Sequence, residues 1–174
     1  MSHTHHIDRP DGTRIAYSVS GAAQATPLIL SNSLATDARM WEKVLPELQA
    51  KFRVITYDTR GHGQSVCAQA SPTLSDLADD LTAVMDAAGA PKALLAGVSL
   101  GGMTGMTLAL AHPERLLGLM ACNCRARINA EGIAGWDQRV TLFSSQGIEA
   151  LVNPTLERWF AADIRAHDNA LMQR

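Results

Sequence analysis

One short segment limits the folds open to this chain more than any other: Gly97-Val98-Ser99-Leu100-Gly101-Gly102 places a serine between two apolar segments. Residues 92–96, before it, have the length and apolar character of a buried parallel strand. Residues at helical spacing follow it, at Met103, Met106, Thr107 and Leu110. The serine is therefore predicted to lie on a sharp strand-to-helix turn, where the residues two before and two after it must be glycine or very small.

The same segment is also compatible with two alternatives, an ordinary turn and a membrane-spanning helix. A Gly-Ser-Gly pattern also occurs by chance in ordinary turns, and the uncharged residues 93–111 are numerous enough to span a bilayer. Against a membrane span, the segment contains several glycines together with Ser99, Thr104 and Thr107, and no cluster of Lys and Arg sets an orientation. A buried strand, a tight turn and a buried helix explain the segment better.

Predicted strands and helices alternate along the preceding chain. A turn at Asp11-Gly12 joins two half-exposed strands, and a capping box at Thr73 and Asp76 starts a helix that ends at Gly89 and Pro91. The other predicted elements are strands over 27–31, 52–57 and 116–121 and helix faces formed by Trp41, Val44, Leu45 and Leu48 and by Leu74, Leu77, Leu81, Val84 and Met85. This alternation predicts an α/β fold with a doubly wound, mostly parallel sheet, which binds ligands at the carboxyl ends of its strands.

The character of the sequence changes after Cys124. Strand-like segments stop, and large apolar residues are scattered among polar ones up to Arg174, as in a small helical layer. We expect residues 1–124 to form the N-terminal part of the α/β core and residues 125–174 to begin a helical cap.

Charge and cysteine content narrow the range of partners. Fifteen basic and seventeen acidic residues are dispersed along the chain, so the formal net charge of −2 offers no patch for nucleic acid or an anionic membrane. The three cysteines form neither a metal-binding spacing nor an even disulfide framework, which favours a reducing cytoplasm. His3, His5 and His6 lie in what we expect to be a frayed terminus, so no metal site is predicted. The expected partner is a small molecule.

Acyl transfer requires a nucleophile, a base and donors aimed at the oxygen that becomes negative. Ser99 is the candidate nucleophile. The backbone N–H of Leu100 opens the following helix, whose positive end can hold an oxyanion. The loop 31–36, after an apolar strand, supplies the second candidate donor, Leu34 N–H, although an ordinary strand-to-helix connection explains this loop as well.

No histidine of the chain is a convincing base for Ser99. His62 precedes the serine and lies in the glycine-flanked segment 60–65, where a histidine more often anchors the loop by hydrogen bonds. His112 is thirteen residues beyond Ser99, which is about 20 Å along a helix. His167 belongs to the predicted helical layer. The base and its orienting acid are therefore expected to be absent from these residues.

Four segments together make the sequence resemble the α/β-hydrolase fold family and, within it, the 3-oxoadipate enol-lactonases, which open a five-membered enol-lactone in aromatic catabolism. The segments are residues 31–41, 57–65, 97–102 and 156–160. The second and third are shared by many α/β-hydrolases. The S-N-S-L loop with its M-W ending and the E-R-W-F segment point more narrowly to enol-lactonases, and the resemblance extends over nearly the whole chain.

The resemblance implies an α/β-hydrolase fold with a helical cap and a catalytic serine, aspartate and histidine in that order along the chain. It implies hydrolysis of carboxylic esters or lactones, most specifically of 3-oxoadipate enol-lactone in the β-ketoadipate pathway, without metal or organic cofactor. Other members of the fold are carboxylesterases, cofactor-free perhydrolases and carbon–carbon bond hydrolases. The alternative from a different class is a binding protein that keeps the serine turn but lacks the triad.

The substrate implied by this resemblance carries a carboxylate, so a cationic residue of the cap should meet it. Arg127, Arg139 and Arg158 are the candidates. A solvated helix face explains each of them equally well.

The sequence departs from the family pattern in one respect. In similar proteins the acid and the histidine lie on loops after later strands, beyond the cap, whereas this sequence stops inside the expected cap at Arg174. We therefore expect a fragment of a longer hydrolase, without the C-terminal strands of the sheet. The strand at 116–121 should form an uncovered apolar edge, which favours aggregation or pairing with another chain.

Residues 1–174 purified alone should accordingly be poorly stable and nearly inactive, because the proton-transfer groups are missing. Turnover of the enol-lactone by residues 1–174 is to be compared with turnover by the product of the complete gene. Equal rates would contradict this expectation.

Overall fold

A six-stranded sheet organises the first of two units into which the chain divides, the division falling after Ala126. The computed structural model describes residues 3–167. The strands are β1 (Thr4–Asp8), β2 (Arg14–Ser20), β3 (Pro27–Ser31), β4 (Arg53–Tyr57), β5 (Ala93–Val98) and β6 (Leu116–Cys122). The helices of this unit are α1 (Leu45–Gln49), α2 (Leu74–Ala87) and α3 (Leu100–Ala111), with short 3-10 turns at Ala38–Trp41 and Pro113–Arg115.

The strand order is β1-β2-β4-β3-β5-β6. Strands β3, β4, β5 and β6 are parallel, and the β1–β2 hairpin joins them antiparallel at one side. In this order β4 lies on one side of β3, whereas β5 and β6 lie on its other side. The direction in which successive strands are added to the sheet therefore reverses between β3 and β5. Such a reversal opens a crevice at the carboxyl ends of the strands. The predicted α/β fold with a mostly parallel sheet is confirmed.

Alternate residues of the central strands pack into cores on the two faces of the sheet. Leu28 and Leu30 of β3 join one cluster, whereas Ile29 joins the other. The larger cluster also holds most of the buried face of α2, through Ala78, Leu81, Val84 and Met85. Both faces of β3 and β4 are thus covered, as parallel strands inside a sheet require.

The capping box predicted for α2 is present. The Thr73 hydroxyl accepts from Asp76 N at 3.2 Å, and the Asp76 carboxylate accepts from Thr73 N at 2.7 Å. The face of this helix is buried as predicted except at its first residue, Leu74, which is 38% exposed.

The helix face predicted from Trp41, Val44, Leu45 and Leu48 does not form one continuous helix. A 3-10 turn ends at Trp41, and α1 has five residues with Pro46 in its first turn. Proline has no N–H to continue a helix from the preceding turn, so the segment breaks there. Val44 is 46% exposed, while the other three contact the smaller core cluster.

The helix predicted after Ser99 is confirmed as α3, but the residues at helical spacing do not form its buried face. Leu110 is 88% exposed, and the buried residues are instead Gly101, Gly102, Thr104, Gly105 and Leu108. Small residues on this face let the helix approach β5 and β6 closely. A Cβ added at Gly105 would lie 2.7 Å from Leu119 Cδ1.

The N-terminal histidines are not in a frayed segment. Residues Thr4–Asp8 form β1, and His5 pairs with Tyr17 of β2. The two rings lie with centroids 5.3 Å apart. The contact between the His5 and Tyr17 rings across the two strands stabilises β1 in its place on the sheet.

Strand β6 is paired only with β5 in the described part of the chain. Leu117 and Met120 on this strand are 53% and 63% exposed. The sheet therefore has an apolar outer edge at β6, as expected from the sequence. Pairing of this edge with another chain stays a prediction.

The second unit is helical. It contains α4 (Ala130–Gln146), a 3-10 turn at Ile148–Leu151, α5 (Val152–Trp159) and α6 (Ala162–His167). Asn129 caps α4 by accepting from Gly132 N at 2.9 Å. Within residues 3–167, no helix combines the length and apolarity needed to cross a bilayer.

A buried ion pair connects the segment after β4 to α2. The Arg60 guanidinium donates Nε to Asp80 Oδ2 at 2.6 Å and Nη2 to Asp80 Oδ1 at 2.8 Å. Both side chains are almost fully buried, and the hydrogen bonds to Asp80 raise the pKa of Arg60 above its usual range. Arg9 donates to Asp80 and Asp11 accepts from Arg60, so the network also holds the turn of the first hairpin.

Asp80→Asn should destabilise the protein by about 3–5 kcal/mol, because it removes the buried, bidentate counterion of Arg60 and leaves only the partly exposed Asp11 beside that charge. Asp79→Asn is the matched control, since Asp79 is exposed on the same helix and should change stability by about 0.5 kcal/mol or less. Urea unfolding of both variants measures the difference. Equal stabilities of the two variants would contradict the role given to this pair.

Candidate active site

Ser99 occupies the turn between β5 and α3 in a backbone conformation that residues other than glycine rarely adopt, with φ 53° and ψ −111°. Its N–H donates to Cys122 O at 2.9 Å, and its carbonyl accepts from Met103 N at 3.0 Å. The backbone is thus tied to the end of β6 on one side and to the first turn of α3 on the other. Strained residues of this kind persist where the surroundings over-determine them, and they concentrate at functional sites.

Two glycines make this turn sterically feasible. A Cβ at Gly97 would overlap the backbone of Gly101, and a Cβ at Gly101 would overlap Ser31 O. The first turn of α3 therefore lies directly against the end of β3, which pairs with β5 through Ser31 and Gly97. The predicted need for glycine two residues before and after Ser99 follows from these contacts.

The loop after β3 lies at the same edge of the sheet. Ala35 has φ 63°, and the loop closes through Thr36 N, which donates to Ser33 O at 3.3 Å. Ser33 N donates to Met40 Sδ at 3.5 Å, and Ala35 N donates to His62 Nε2 at 3.1 Å. The loop is thus held by its own turn, by the 3-10 turn through Met40 and by the segment after β4 through His62.

Leu34 N–H, in the loop after β3, has no partner among the described residues. The same is true of Leu100 N–H, the first N–H of α3. All three neighbouring N–H groups of the loop, at Ser33, Ala35 and Thr36, are engaged. Unpaired N–H groups at a helix start form a ready site for an anion.

The base of the loop is fixed by a buried polar cluster. Asn32, fully buried, donates Nδ2 to Tyr57 O at 2.8 Å and accepts from Trp41 Nε1 at 2.7 Å. Ser31 Oγ and the Tyr57 hydroxyl lie 2.7 Å apart, and burial raises the pKa of Tyr57 to about 12. This hydroxyl therefore stays protonated and serves as a structural partner.

A carboxylate joins the two loops beside the site. Asp58 accepts from Ala38 N and from Gln64 N, each at 2.8 Å. Asp37 lies next to it, where the hydrogen bond from Arg39 lowers the pKa of its carboxyl. Sequence reasoning missed the roles of Asn32 and Asp58. The signal available for both was a polar residue placed directly after a predicted buried strand.

Three non-glycine residues with positive φ follow three adjacent parallel strands. Ala35, Ser99 and Asn123 lie just beyond β3, β5 and β6, respectively. Strain therefore accumulates at the carboxyl edge of the sheet, where the winding reverses. This edge is the candidate active site.

The three arginine candidates belong to the second unit, which is described by itself. Arg127 and Arg158 are exposed, and Arg139 lies over the ring of Trp136 with its Cζ 4.9 Å from the centroid. A cation–π contact of this kind stabilises the guanidinium over the ring face. Recognition of a carboxylate by any of the three stays a prediction.

The histidines after Ser99 have other surroundings. His112 ends α3 and lies 3.5 Å from Glu114. His167 Nδ1 lies 2.8 Å from Asp163 O within α6. Asp168, the other aspartate beside His167, lies outside the described residues.

Gly101→Ala should destabilise the protein and distort the turn at Ser99, because its Cβ would overlap the backbone of β3. The expected loss is about 1–3 kcal/mol or more, as for overpacked positions. Gly135→Ala in α4 is the matched control, since a Cβ there meets nothing within 4 Å and the change should stabilise the helix by about 0.5–1 kcal/mol. Thermal unfolding measures both, and similar shifts for the two variants would contradict the close contact.

Known proteins share this arrangement. The chain is 33% identical over 172 residues to 3-oxoadipate enol-lactonase 1 of Acinetobacter baylyi, with 99% of this chain and 64% of that protein covered. The crystal structure of the enol-lactonase from Burkholderia xenovorans LB400 is 34% identical, with a TM-score of 0.90 over 97% of this chain and 65% of that one. A hydrolase from Pseudomonas aeruginosa is 33% identical, with a TM-score of 0.91 over 98% of this chain and 64% of that one.

The chain thus spans 64% of the length of the Acinetobacter protein. A family model described as the alpha/beta hydrolase fold matches residues 26–149. That range is more than half of the chain and includes the loop after β3, the turn at Ser99 and the parallel strands. This chain belongs to the alpha/beta hydrolase fold family.

Proposed function

We propose that the protein is a serine hydrolase of carboxylic esters and lactones, and that its substrate is 3-oxoadipate enol-lactone. One observation carries the proposal: Ser99 sits in a strained strand-to-helix turn at the same edge as two backbone N–H groups that have no partner among the described residues. A serine nucleophile and donors for a developing oxyanion are two of the three parts that acyl transfer needs.

The proposed reaction begins with attack of Ser99 Oγ on the lactone carbonyl carbon. The new C–O bond forms as a general base takes the serine proton, and the carbonyl oxygen becomes an oxyanion. Leu34 N–H and Leu100 N–H donate to that oxyanion, and the positive end of α3 adds to its stabilisation. The bond from the carbonyl carbon to the ring oxygen then breaks, and the ring oxygen leaves as an enolate. The enolate takes up the proton that the base removed from Ser99, so the base is free to act again.

Water completes the proposed cycle. The base activates a water molecule, which attacks the acyl-enzyme and forms a second tetrahedral intermediate on the same donors. Collapse of this intermediate releases the carboxylate product and returns the proton to Ser99. An enolate is a better leaving group than an alkoxide or an amine, so the proposed substrate suits a hydroxyl nucleophile.

The general base and its orienting acid are assigned, within this proposal, to the part of the relatives' length that these residues do not span. The order serine, acid and histidine along the chain is the one this fold uses. Within the described residues His62 is engaged by the loop after β3, and His112 lies at the far end of α3. Neither is assigned the role of base.

The remaining features of the proposal concern the substrate and its setting. The enol-lactone carries a carboxylate, and Arg127, Arg139 and Arg158 are the proposed cations to meet it. The mechanism requires no metal or organic cofactor. All three cysteines are free thiols, in keeping with the cytoplasmic location we propose.

The similarity of this chain to two enol-lactonases supports this substrate. A carboxylesterase acting on unstrained esters is the second candidate, because the same serine and donors would serve it. Steady-state rates on the enol-lactone and on p-nitrophenyl acetate separate the two. A higher kcat/KM on the ester would favour the second candidate.

Ser99→Ala should abolish both hydrolysis and labelling by a fluorophosphonate, because the nucleophilic oxygen is removed. Loss of the nucleophile in a serine hydrolase lowers kcat by about 10⁶-fold. Ser75→Ala, on the exposed surface of α2, is the matched control and should retain full activity. The protein used is the product of the complete gene, and labelling is read by intact mass.

Two results would contradict the proposal. One is labelling or turnover by Ser99→Ala at the rate of the unmodified protein. The other is an unmodified protein that is neither labelled nor active, which would favour the interpretation as a binding protein.

A further inference from the structure

The imidazole of His62 lies between two backbone groups whose roles are fixed. Nδ1 is 3.1 Å from Arg60 O, and Nε2 is 3.1 Å from Ala35 N. A carbonyl can only accept a hydrogen bond and an amide N–H can only donate one. Nδ1 must therefore carry the proton, and Nε2 must be the unprotonated nitrogen that accepts. The two contacts together select the neutral ring with its proton on Nδ1.

The residue held by Nε2 is adjacent to the proposed oxyanion donor. Ala35 has φ 63°, a conformation unfavourable for alanine. Its N–H and the free Leu34 N–H belong to the two peptide groups that flank the Cα of Leu34. Rotation at Leu34 or Ala35 would turn the Leu34 N–H away. The contact to His62 is the one hydrogen bond that the Ala35 N–H makes within the described residues.

His62 is itself firmly placed. Its N–H donates to Thr59 O at 2.9 Å, and its carbonyl accepts from Ser65 N at 2.9 Å. Two residues earlier, Arg60 is anchored by Asp80, and Asp58 accepts from Gln64 N. The His62 ring is therefore held in a fixed position by contacts to the core, and the loop after β3 donates a hydrogen bond to it.

We infer that His62 is a positioning residue of the hydrolase: its Nε2 accepts from Ala35 N–H and thereby holds the neighbouring Leu34 N–H in the direction of the oxyanion. The inference rests on the proposed function, because it assigns the Leu34 N–H to the oxyanion. His62 itself transfers no proton in the reaction. It acts through the loop, so its loss lowers the rate of acylation and leaves substrate binding largely unchanged.

Two substitutions at this position separate the role of Nε2 from mere packing. The amide of glutamine reaches the position of Nε2 and offers an oxygen acceptor to Ala35 N–H. The amide of asparagine is shorter and reaches only the position of Nδ1. His62→Gln should therefore retain the support of the loop, whereas His62→Asn should lose it while keeping a partner for Arg60 O.

The experiment measures kcat and KM for p-nitrophenyl acetate with the product of the complete gene. Removal of one oxyanion donor lowers kcat by about 10²–10³-fold, and a donor that is displaced and not removed should lower it by roughly tenfold or more. We expect that loss for His62→Asn, with KM changed by about twofold or less, and recovery to within about threefold of the unmodified kcat for His62→Gln. His112→Asn, at the end of α3, is the matched control and should leave kcat unchanged.

Thermal unfolding of each variant accompanies the kinetics. Equal kcat for His62→Asn and the unmodified protein would overturn the inference. So would a kcat for His62→Gln as low as that for His62→Asn, since the acceptor would then be irrelevant. If the unmodified protein turns over no faster than Ser99→Ala, the proposed function fails and this role falls with it, a result that differs from equal activity in all His62 variants.

Discussion

The buried ion pair between Arg60 and Asp80 is the interaction on which the site most depends. It ties the segment after β4 to α2, and that segment carries both Asp58 and His62. Asp58 accepts from the 3-10 turn after β3, and His62 accepts from Ala35. The loop that presents Leu34 N–H is therefore supported by a charge pair taken out of water. Such a pair contributes little net stability compared with apolar residues of the same volume, but its bidentate geometry fixes direction.

Strain at the site is balanced by packing beneath it. Ser99 and Ala35 hold unfavourable backbone conformations, which cost about 1–3 kcal/mol each. The opposing contribution comes from the close approach of α3 to β3, which glycine at positions 97 and 101 permits, and from the cluster of Asn32, Tyr57 and Ser31 under the loop. A displaced α3 would relax the turn at Ser99 and at the same time separate its first N–H groups from the loop after β3. The proposed nucleophile and the proposed donors are thus placed by one set of contacts.

Local patterns predicted the elements that local interactions determine. The serine turn, the capping box of Thr73 and Asp76 and the positions of the parallel strands were all evident from the sequence, because glycine spacing, capping residues and apolar segments act over a few residues. The buried face of α3 was not evident, because the hydropathy of this helix is nearly uniform around its axis. Only the contact with Leu95 and Leu119 selects the side with Gly105. The roles of Asn32 and His62 depend on partners 25 and 27 residues away in the chain, which no periodicity reveals.

Both proposed oxyanion donors are backbone groups, and this has a consequence for specificity within the fold. Only substitution by proline removes a backbone N–H, so stabilisation of the oxyanion persists through other changes in the residues around it. Discrimination between a lactone, an ester and other acyl compounds must then come from groups that contact the rest of the substrate and from the placement of the base. Loss of a support such as His62 acts differently, because it shifts a donor for every substrate alike. A variant that lowers kcat for the enol-lactone and for p-nitrophenyl acetate by the same factor therefore affects the oxyanion donors, whereas one that changes their ratio affects substrate contacts.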